Sequence, residues 1–265
     1  MAGMLRTKAP FLSGVVLAAL CALSTASAPA AIWPSATRRA ERELSSSDVS
    51  ARQAAVASLS ELPRASARRL LLRALDDVDP QVASSALELL LRLETPQVTE
   101  RVVPWLSGSD KRLRLSAALA LAVAPAPNAT PALGRALGDS DAEVRAAAAA
   151  ALGASQAESA VLPLLGHLDD AVPEVRESVA NALGVLGDAR AVLPLIGKIE
   201  DPRPTVRAAV ARALGALRDP RSSSALLLAL RDSDRAVVIA VVRALGSLGE
   251  TAAVAPLSAL LRERP

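Results

Sequence analysis

The 265-residue chain has almost no aromatic side chains: they make up 1% of it, Tyr is absent, and Phe11 is the only Phe. A large globular enzyme usually relies on aromatics to fill a wide core, because each one buries a large area. The apolar fraction is nevertheless 51%, and it consists mainly of Ala, Leu and Val. Ala and Leu favour helices. The composition therefore favours thin layers of closely packed helices over one wide core.

Groups for metal binding and covalent catalysis are equally scarce. Cys21 is the only cysteine and His167 is the only histidine. A zinc site or a nucleophile–base pair needs several suitable side chains close together. We therefore predict no catalytic residue, no metal site and no cofactor.

The first 31 residues have the pattern of an export signal. Arg6 and Lys8 give a positive start, and an apolar run extends from Phe11 to Leu23. Small residues that suit cleavage follow at Ala26, Ala28, Ala30 and Ala31. The run is shorter than the roughly 20 residues that a membrane-spanning helix needs. Two alternatives stay open: a cleaved signal peptide at 1–31, or a retained N-terminal membrane anchor.

Both alternatives predict an exported protein of the bacterial envelope. The chain would be periplasmic or extracellular after cleavage, and anchored in the inner membrane without it. Loss of Arg6 and Lys8 would reduce the 30 basic residues to 28 against 27 acidic ones, a net charge of +1. A balanced charge argues against general attraction to nucleic acid or anionic membranes. We therefore predict no nucleic-acid partner, and membrane association only through an uncleaved N-terminal segment.

A period of 31 residues dominates the chain after a polar linker that we predict at 32–45. A leucine column keeps this spacing without a break: Leu59, Leu90, Leu121, Leu152, Leu183, Leu214 and Leu245. Constant register over seven units indicates a repeat architecture. The predicted units, repeats 1 to 7, are 46–76, 77–107, 108–138, 139–169, 170–200, 201–231 and 232–262.

Each unit carries the signals of a helical hairpin. An Asp can accept bonds from the first free N–H groups of a helix, and one column holds Asp48, Asp79, Asp110, Asp141 and Asp234. Proline suits the first helical position, which Pro80, Pro173 and Pro204 would occupy. Glycine suits a helix end with positive φ, which we predict at Gly153, Gly184, Gly215 and Gly246. One hairpin cannot bury its own apolar face, so the hairpins must stack.

The repeat pattern resembles a known family. The run Asp-x-x-x-x-Val-Arg-x-x-Ala-x-x-Ala-Leu-Gly, followed by Pro-Leu, is similar to the short HEAT-like repeat of phycobilisome lyases. It is clearest at 139–168, 170–199, 201–230 and 232–261. The first three units depart from it, with Ala83 in place of Arg and with Leu91 and Ala122 in place of Gly. The predicted fold is all-α: a right-handed α-solenoid, or α-α superhelix, of seven 31-residue hairpins.

Asp and Arg recur in matching columns of these repeats. We pair them within each repeat, as Asp139 with Arg145, Asp170 with Arg176, and Asp201 with Arg207. The resemblance implies that such residues form a structural ladder between adjacent repeats, a role that suits the planar, multidentate Arg. The alternative is a ladder that binds a charged ligand.

The resemblance also implies that the second helices line the concave face. We predict an extended groove there for a protein or peptide partner, apolar in its centre and basic at its edges. The candidate partner-binding residues are Arg69, Arg73, Trp105, Arg135, Leu162, His167, Leu193, Lys198 and Leu228. The alternative is an ordinary mixed surface.

The function that these patterns favour is a non-catalytic interaction scaffold or adaptor. The alternative is an enzyme, or a lyase-like accessory or chaperone protein for cofactor attachment. Deoxyhypusine hydroxylase, a HEAT-like enzyme, needs several His-Glu pairs for its iron, and the single His167 excludes that chemistry.

The last repeat suggests a second hypothesis, self-association. Solenoids normally end in a repeat with a polar outer face, whereas repeat 7 contains the apolar residues Val237, Val238, Ile239, Val241 and Val242. We expect this end to pack against a partner or a second copy. The alternative is that Arg243 and Arg262 form a sufficient polar cap.

Overall fold

The computed structural model describes residues 35–95 and 97–249, together with Thr251, Val254 and Ser258. The predicted signal segment at 1–31 lies outside the described residues, as does most of the segment where the second helix of repeat 7 is predicted. Within the described part the chain is helical and forms no strand. No helix in this part is both long enough and apolar enough to cross a membrane.

Fourteen α-helices are described, and they alternate between the first and second positions of the hairpins. The first helices are α2 Val49–Ser58, α4 Pro80–Arg92, α6 Lys111–Val123, α8 Ala142–Ala154, α10 Pro173–Leu186, α12 Pro204–Leu217 and α14 Arg235–Leu248. The second helices are α3 Arg64–Ala74, α5 Val98–Val102, α7 Thr130–Ala136, α9 Val161–Leu165, α11 Val192–Ile196 and α13 Ser223–Ala229, and α1 Ala36–Glu43 precedes them all. This alternation confirms the predicted α-solenoid.

The predicted helix starts and core columns are confirmed. The Asp column caps five first helices, and each carboxylate accepts an N–H from two or three residues later: Asp48, Asp79, Asp110, Asp141 and Asp234. Pro80, Pro173 and Pro204 open α4, α10 and α12. Every member of the leucine column from Leu59 to Leu245 is buried. The period therefore marks one continuous core that runs through the stack.

The predicted helix ends at the glycine column are wrong. Gly153, Gly184 and Gly215 lie inside α8, α10 and α12, and they face the first helix of the next repeat. A Cβ added at Gly184 would lie 2.7 Å from the Cα of Ala213, and one at Gly153 would lie 2.8 Å from the Cα of Ala182. These glycines recur at the same position of successive repeats because neighbouring first helices touch backbone to backbone.

The real helix ends lie three residues later. Positive φ occurs at Gln156 (53°), Gly187 (70°), Arg218 (50°) and Gly249 (68°), which again share the 31-residue spacing. Glu94 (50°) belongs to the same column. Only two of these five residues are glycines, so the turn geometry is imposed by the hairpin as a whole, at some local cost to the other residues.

The Asp/Arg ladder joins successive repeats, and the predicted side-chain pairing within a repeat is wrong. Arg145 donates to Asp170 of the next repeat from Nε (2.8 Å) and from Nη2 (2.9 Å). Its Nη1 donates to the backbone carbonyl of Asp139 in its own repeat (2.9 Å). Each guanidinium therefore binds the backbone just before its own first helix and, at the same time, the carboxylate of the next repeat.

We call this Arg–Asp pair between two successive repeats a rung, and the same rung recurs at four other junctions. The pairs are Arg52–Asp77, Arg114–Asp139, Arg176–Asp201 and Arg207–Asp232. At the junction of repeats 2 and 3, the two positions hold Ala83 and Gly108, so both partners are absent together. An unpaired buried charge would destabilise the fold. Because both partners are absent together, this junction leaves no such charge.

The rung carboxylates hold lowered pKa values. The hydrogen bond from Arg145 lowers the pKa of Asp170 against the opposing effect of burial, and the backbone N–H of Val172 adds to the lowering. For Asp201, burial is the largest single influence and raises the pKa, but the bonds from Arg176 and the backbone N–H of Arg203 together lower it. Each carboxylate therefore contributes stability that is present above about pH 4 and is lost as the pH falls through its folded-state pKa.

The predicted linker at 32–45 is helical in its described part, which begins at Ser35. Ala40 of α1 and Leu44, the residue directly after it, are buried against the stack. These residues lie one period before Leu71 and Leu75, so α1 occupies a second-helix position ahead of repeat 1. The sequence pattern did not reveal this helix, because only two side chains of the segment enter the core and its apolar pattern is weak.

We expect Gly184→Ala to lower the free energy of unfolding by about 1–3 kcal/mol, because the added Cβ forces two backbones apart. The control is Gly246→Ala in α14, where the added Cβ has no neighbour within 4 Å among the described residues. Helix propensity should make that variant neutral or more stable by up to about 1 kcal/mol. Thermal unfolding followed by circular dichroism tests both variants, and equal losses would contradict the close-contact interpretation.

We expect Asp201→Asn to destabilise the chain at pH 7 by about 2–3 kcal/mol, because Arg176 loses a charged partner. The difference in unfolding free energy between this variant and the parent should narrow as the pH falls below about 4, because the parent's carboxylate becomes protonated. Urea unfolding at several pH values measures it. Glu200→Gln, at the exposed neighbouring residue, is the control; a constant gap for Asp201→Asn across this pH range would refute the account.

Candidate functional site

The second helices present one continuous outer surface, which we call the second-helix face. It consists of two exposed positions, one helical turn apart, in each unit from α1 to α13. The residues are Arg38, Arg42, Arg69, Arg73, Glu100, Pro104, Pro131, Arg135, Leu162, Gly166, Leu193, Gly197, Ser224 and Leu228. Six of the nine predicted partner-binding residues lie in this set.

The face changes character along the stack. Its N-terminal part carries arginines, and its part in repeats 4 to 6 carries three exposed leucines. Leu162, Leu193 and Leu228 are 64%, 61% and 71% exposed. Gly166 and Gly197 lie one turn after the first two leucines and leave room beside them. Large apolar side chains held this far out of the core are typical of a surface that binds another protein.

A groove opens between the second helices of repeats 5 and 6, and we call it the repeat 5–6 groove. Its volume is about 600 Å³. The lining combines apolar side chains with four charged ones, and includes Ile196, Ile199, Ala225, Leu228, Ala229, Glu200, Arg207, Arg231 and Asp232. The groove can accept an apolar side chain next to Leu228.

One repeat earlier, an ion pair crosses the equivalent place. Lys198 donates to Asp169 there. In the repeat 5–6 groove the corresponding residues are Ala229 and Glu200, so the shorter Ala229 side chain leaves the place open. Lys198 therefore forms an ion pair between two repeats. A partner that bound Lys198, as predicted, would have to compete with Asp169 for it.

Trp105 and His167, in the same repeat column as Lys198, are only half exposed. Trp105 lies in the short 3₁₀ helix Val103–Ser107 and packs against the buried core. His167 follows α9 and lies near the rung carboxylate of Asp170, whose pKa it helps to lower. The structure places this column at the base of the second-helix face.

Two exposed arginines at the hairpin turns, Arg190 and Arg221, are paired with carboxylates of the same turns. Arg190 binds Asp188, and Arg221 binds Asp219, each two residues earlier. These hydrogen bonds, with backbone N–H groups, lower the pKa of Asp188 and of Asp219 to about 2. Arg190 and Arg221 therefore hold the hairpin turns together, and a partner would have to compete with Asp188 and Asp219 to bind them.

The predictions missed several exposed apolar side chains on the opposite surface, which is formed by the first helices. Leu119 and Val123 of α6 and Val185 of α10 are 52%, 78% and 58% exposed. A helical wheel of the first helices would have revealed these residues. Among the described residues, no group of three or more His, Cys, Asp and Glu side chains is placed to hold a metal ion.

Sequence comparison decides the family. A profile described as HEAT repeats matches residues 99–184, 161–238 and 193–265, which together cover well over half of the chain. The chain belongs to the HEAT repeat family. This confirms the resemblance that the repeat pattern suggested. No curated protein sequence gives a significant match to this HEAT repeat protein.

Solved structures share the solenoid fold. The Escherichia coli protein YibA is 21% identical with a TM-score of 0.63, and the similarity covers 82% of each chain. An engineered protein is 21% identical with a TM-score of 0.57, covering 81% of this chain and 68% of that one. The complex of CpcE and CpcF of phycocyanin lyase from a Nostoc species is 22% identical with a TM-score of 0.51, covering 84% and 98%. At these identities the likeness establishes the fold of this HEAT repeat protein and leaves its role to the site.

Proposed function

We propose that this HEAT repeat protein is a non-catalytic scaffold or adaptor that binds a protein partner along its second-helix face. The observation that carries the proposal is the group of exposed leucines on this face: Leu162 and Leu193 at one repeat position, and Leu228 one helical turn along at the other. Burying a leucine removes apolar area from water and contributes about 1.5–3 kcal/mol when burial is complete. A partner that covers all three would therefore gain a substantial apolar contact.

The stack explains how such a surface works without a special chemical group. The rungs and the close first-helix contacts hold the repeats in fixed register, so the leucines are already spaced before the partner arrives. A preorganised surface loses little conformational freedom on binding. The repeat 5–6 groove beside Leu228 supplies a recess for an anchoring side chain. We further propose that this face is the concave one.

The proposed location is the bacterial envelope, with the segment at 1–31 acting as a signal peptide or as an anchor. The alternative function is an enzyme, or a lyase-like accessory protein for cofactor attachment. Such a protein needs convergent polar groups with perturbed pKa values in a pocket. The likeness to CpcE and CpcF is one of fold, so it gives that alternative no separate support.

We expect Leu162→Asn, Leu193→Asn and Leu228→Asn, combined in one chain, to weaken partner binding at least about tenfold, since central apolar anchors dominate such interfaces. The purified chain is immobilised and exposed to envelope extracts, and bound proteins are quantified. A matched control combines Leu119→Asn, Val123→Asn and Val185→Asn on the opposite surface. Ala229→Lys is a further variant that would bridge to Glu200 and close the repeat 5–6 groove.

The proposal is supported if a protein is captured by the parent and the control but lost by the leucine variant. It is overturned if the control variant loses that protein and the leucine variant retains it. Circular dichroism should be unchanged in both combined variants, because every substituted residue is exposed.

Self-association through repeat 7 stays a prediction. Ile239 of α14 is 43% exposed, whereas its counterpart one repeat earlier, Ala208, is buried at 5%. Val242 is half-buried and Gly246 is exposed on the same helix. If a second copy packs here, light scattering should detect dimers or larger species, and Ile239→Glu should convert them to monomers. A monomeric parent at high concentration would exclude the idea.

A further inference from the structure

Four arginines stand in two pairs at the N-terminal end of the second-helix face. Arg38 and Arg42 lie one turn apart on α1, and Arg69 and Arg73 lie one turn apart on α3. The pairs are related by the 31-residue period, although α1 precedes the first predicted repeat. All four side chains are exposed. The period therefore sets two rows of guanidinium groups side by side.

Three of these side chains line one open groove of about 660 Å³, which we call the arginine groove. It is lined by Arg38, Glu41, Arg42, Ser45 and Arg73. Arg69 donates from Nη2 to Oε1 of Glu41, and Arg73 donates from Nη2 to Oγ of Ser45 at 3.0 Å. These bonds hold two of the arginines against α1 and leave their remaining N–H groups for other acceptors.

The arginine groove keeps an excess of positive charge because nearby carboxylates are bound elsewhere. Glu43 pairs with Arg39, which does not line the groove. Asp76 pairs with Arg101, and Asp77 pairs with Arg52. Among the described residues, Glu41 is therefore the single carboxylate that lines the groove, together with three arginines.

We propose that the arginine groove binds the carboxylates of an acidic protein segment, which then continues along the second-helix face toward the leucines. This inference rests on the proposed function, because it names the chemistry of a partner for the same face. A planar guanidinium binds a carboxylate through two parallel hydrogen bonds. Arginines spaced along two helices suit several separate carboxylates better than one compact anion.

The rest of the face favours a protein segment over a uniform polyanion. Glu100, on the next second helix, is exposed on the same face, so a nucleic acid or an anionic bilayer running along it would meet a like charge. Leu162 and Leu193 further along offer nothing to phosphate groups. A polypeptide can place its acidic residues at one end and its apolar residues at the other, which matches this order.

The test measures binding of a fluorescein-labelled polyglutamate peptide to the purified chain by fluorescence anisotropy. Polyglutamine of equal length is the uncharged control, and vesicles of phosphatidylglycerol test a membrane surface instead. The variant is Arg38→Gln with Arg42→Gln. Its matched control is Arg235→Gln with Arg243→Gln, which removes the same charge from exposed positions of α14 at the other end.

We expect polyglutamate to bind, to weaken as salt rises, and to lose about tenfold or more in affinity in the α1 variant. The α14 variant should bind like the parent. The proposal is overturned if polyglutamine binds equally well, if both double variants lose affinity equally, or if vesicles bind through Arg38 and Arg42 while polyglutamate does not.

The outcome separates this inference from the proposed function. If polyglutamate binding fails while the leucine variant still loses its captured protein, only the arginine groove proposal falls. If polyglutamate binds through Arg38 and Arg42 while the leucine variant captures normally, the acidic-segment site stands and the leucine surface falls. The leucine variant itself should bind polyglutamate as the parent does, because Leu162, Leu193 and Leu228 lie in other repeats.

Discussion

The contact between first helices of successive repeats is the constraint on which the whole structure depends. In repeats 4 to 7 this contact is made by a glycine facing an alanine, as at Gly184 and Ala213, so the two backbones touch. The Arg–Asp rung beside it fixes the register, because one guanidinium binds its own helix start and the next repeat's carboxylate at once. Neither contact exists within a single hairpin, so each hairpin depends on its neighbours.

The stack is not uniform along its length. The glycine column is replaced by Ser60, Leu91 and Ala122 in repeats 1 to 3. The rung between repeats 2 and 3 is missing, although that between repeats 1 and 2 is present. The N-terminal part of the solenoid is therefore joined by larger side chains and fewer ion pairs. Its second-helix face is basic, whereas the closely packed C-terminal part carries the exposed leucines.

Much of this fold could be predicted from sequence, because a column records what every repeat needs. The Asp caps, the opening prolines and the buried leucines are local or repeated requirements, so their spacing identified them. A column of recurring residues does not show whether a side chain pairs within its own repeat or with the next repeat. Asp139 and Asp170 stand in the same column, and only the fold decides that Arg145 binds the carboxylate of the second and the carbonyl of the first.

Other features escaped prediction for similar reasons. A glycine inside a helix and a glycine at its end look alike in one dimension, and the residues that really turn include Gln156 and Arg218. Helix α1 and the residue directly after it bury only Ala40 and Leu44, too few to mark α1 as a helix of the stack. The exposure of residues on the second helices could be predicted where it follows helical spacing, as with Leu162 and Leu193. The sequence could not reveal where a residue of a neighbouring repeat binds a predicted site residue, as Asp169 binds Lys198.

The central claim is that the second helices offer the binding surface. Hydrogen–deuterium exchange of the chain, with and without a captured partner, tests it most directly. The account expects partner-dependent protection to centre on α9, α11 and α13 and on the turns beside them, with α6, α8 and α10 unchanged. Protection confined to those first helices would contradict it.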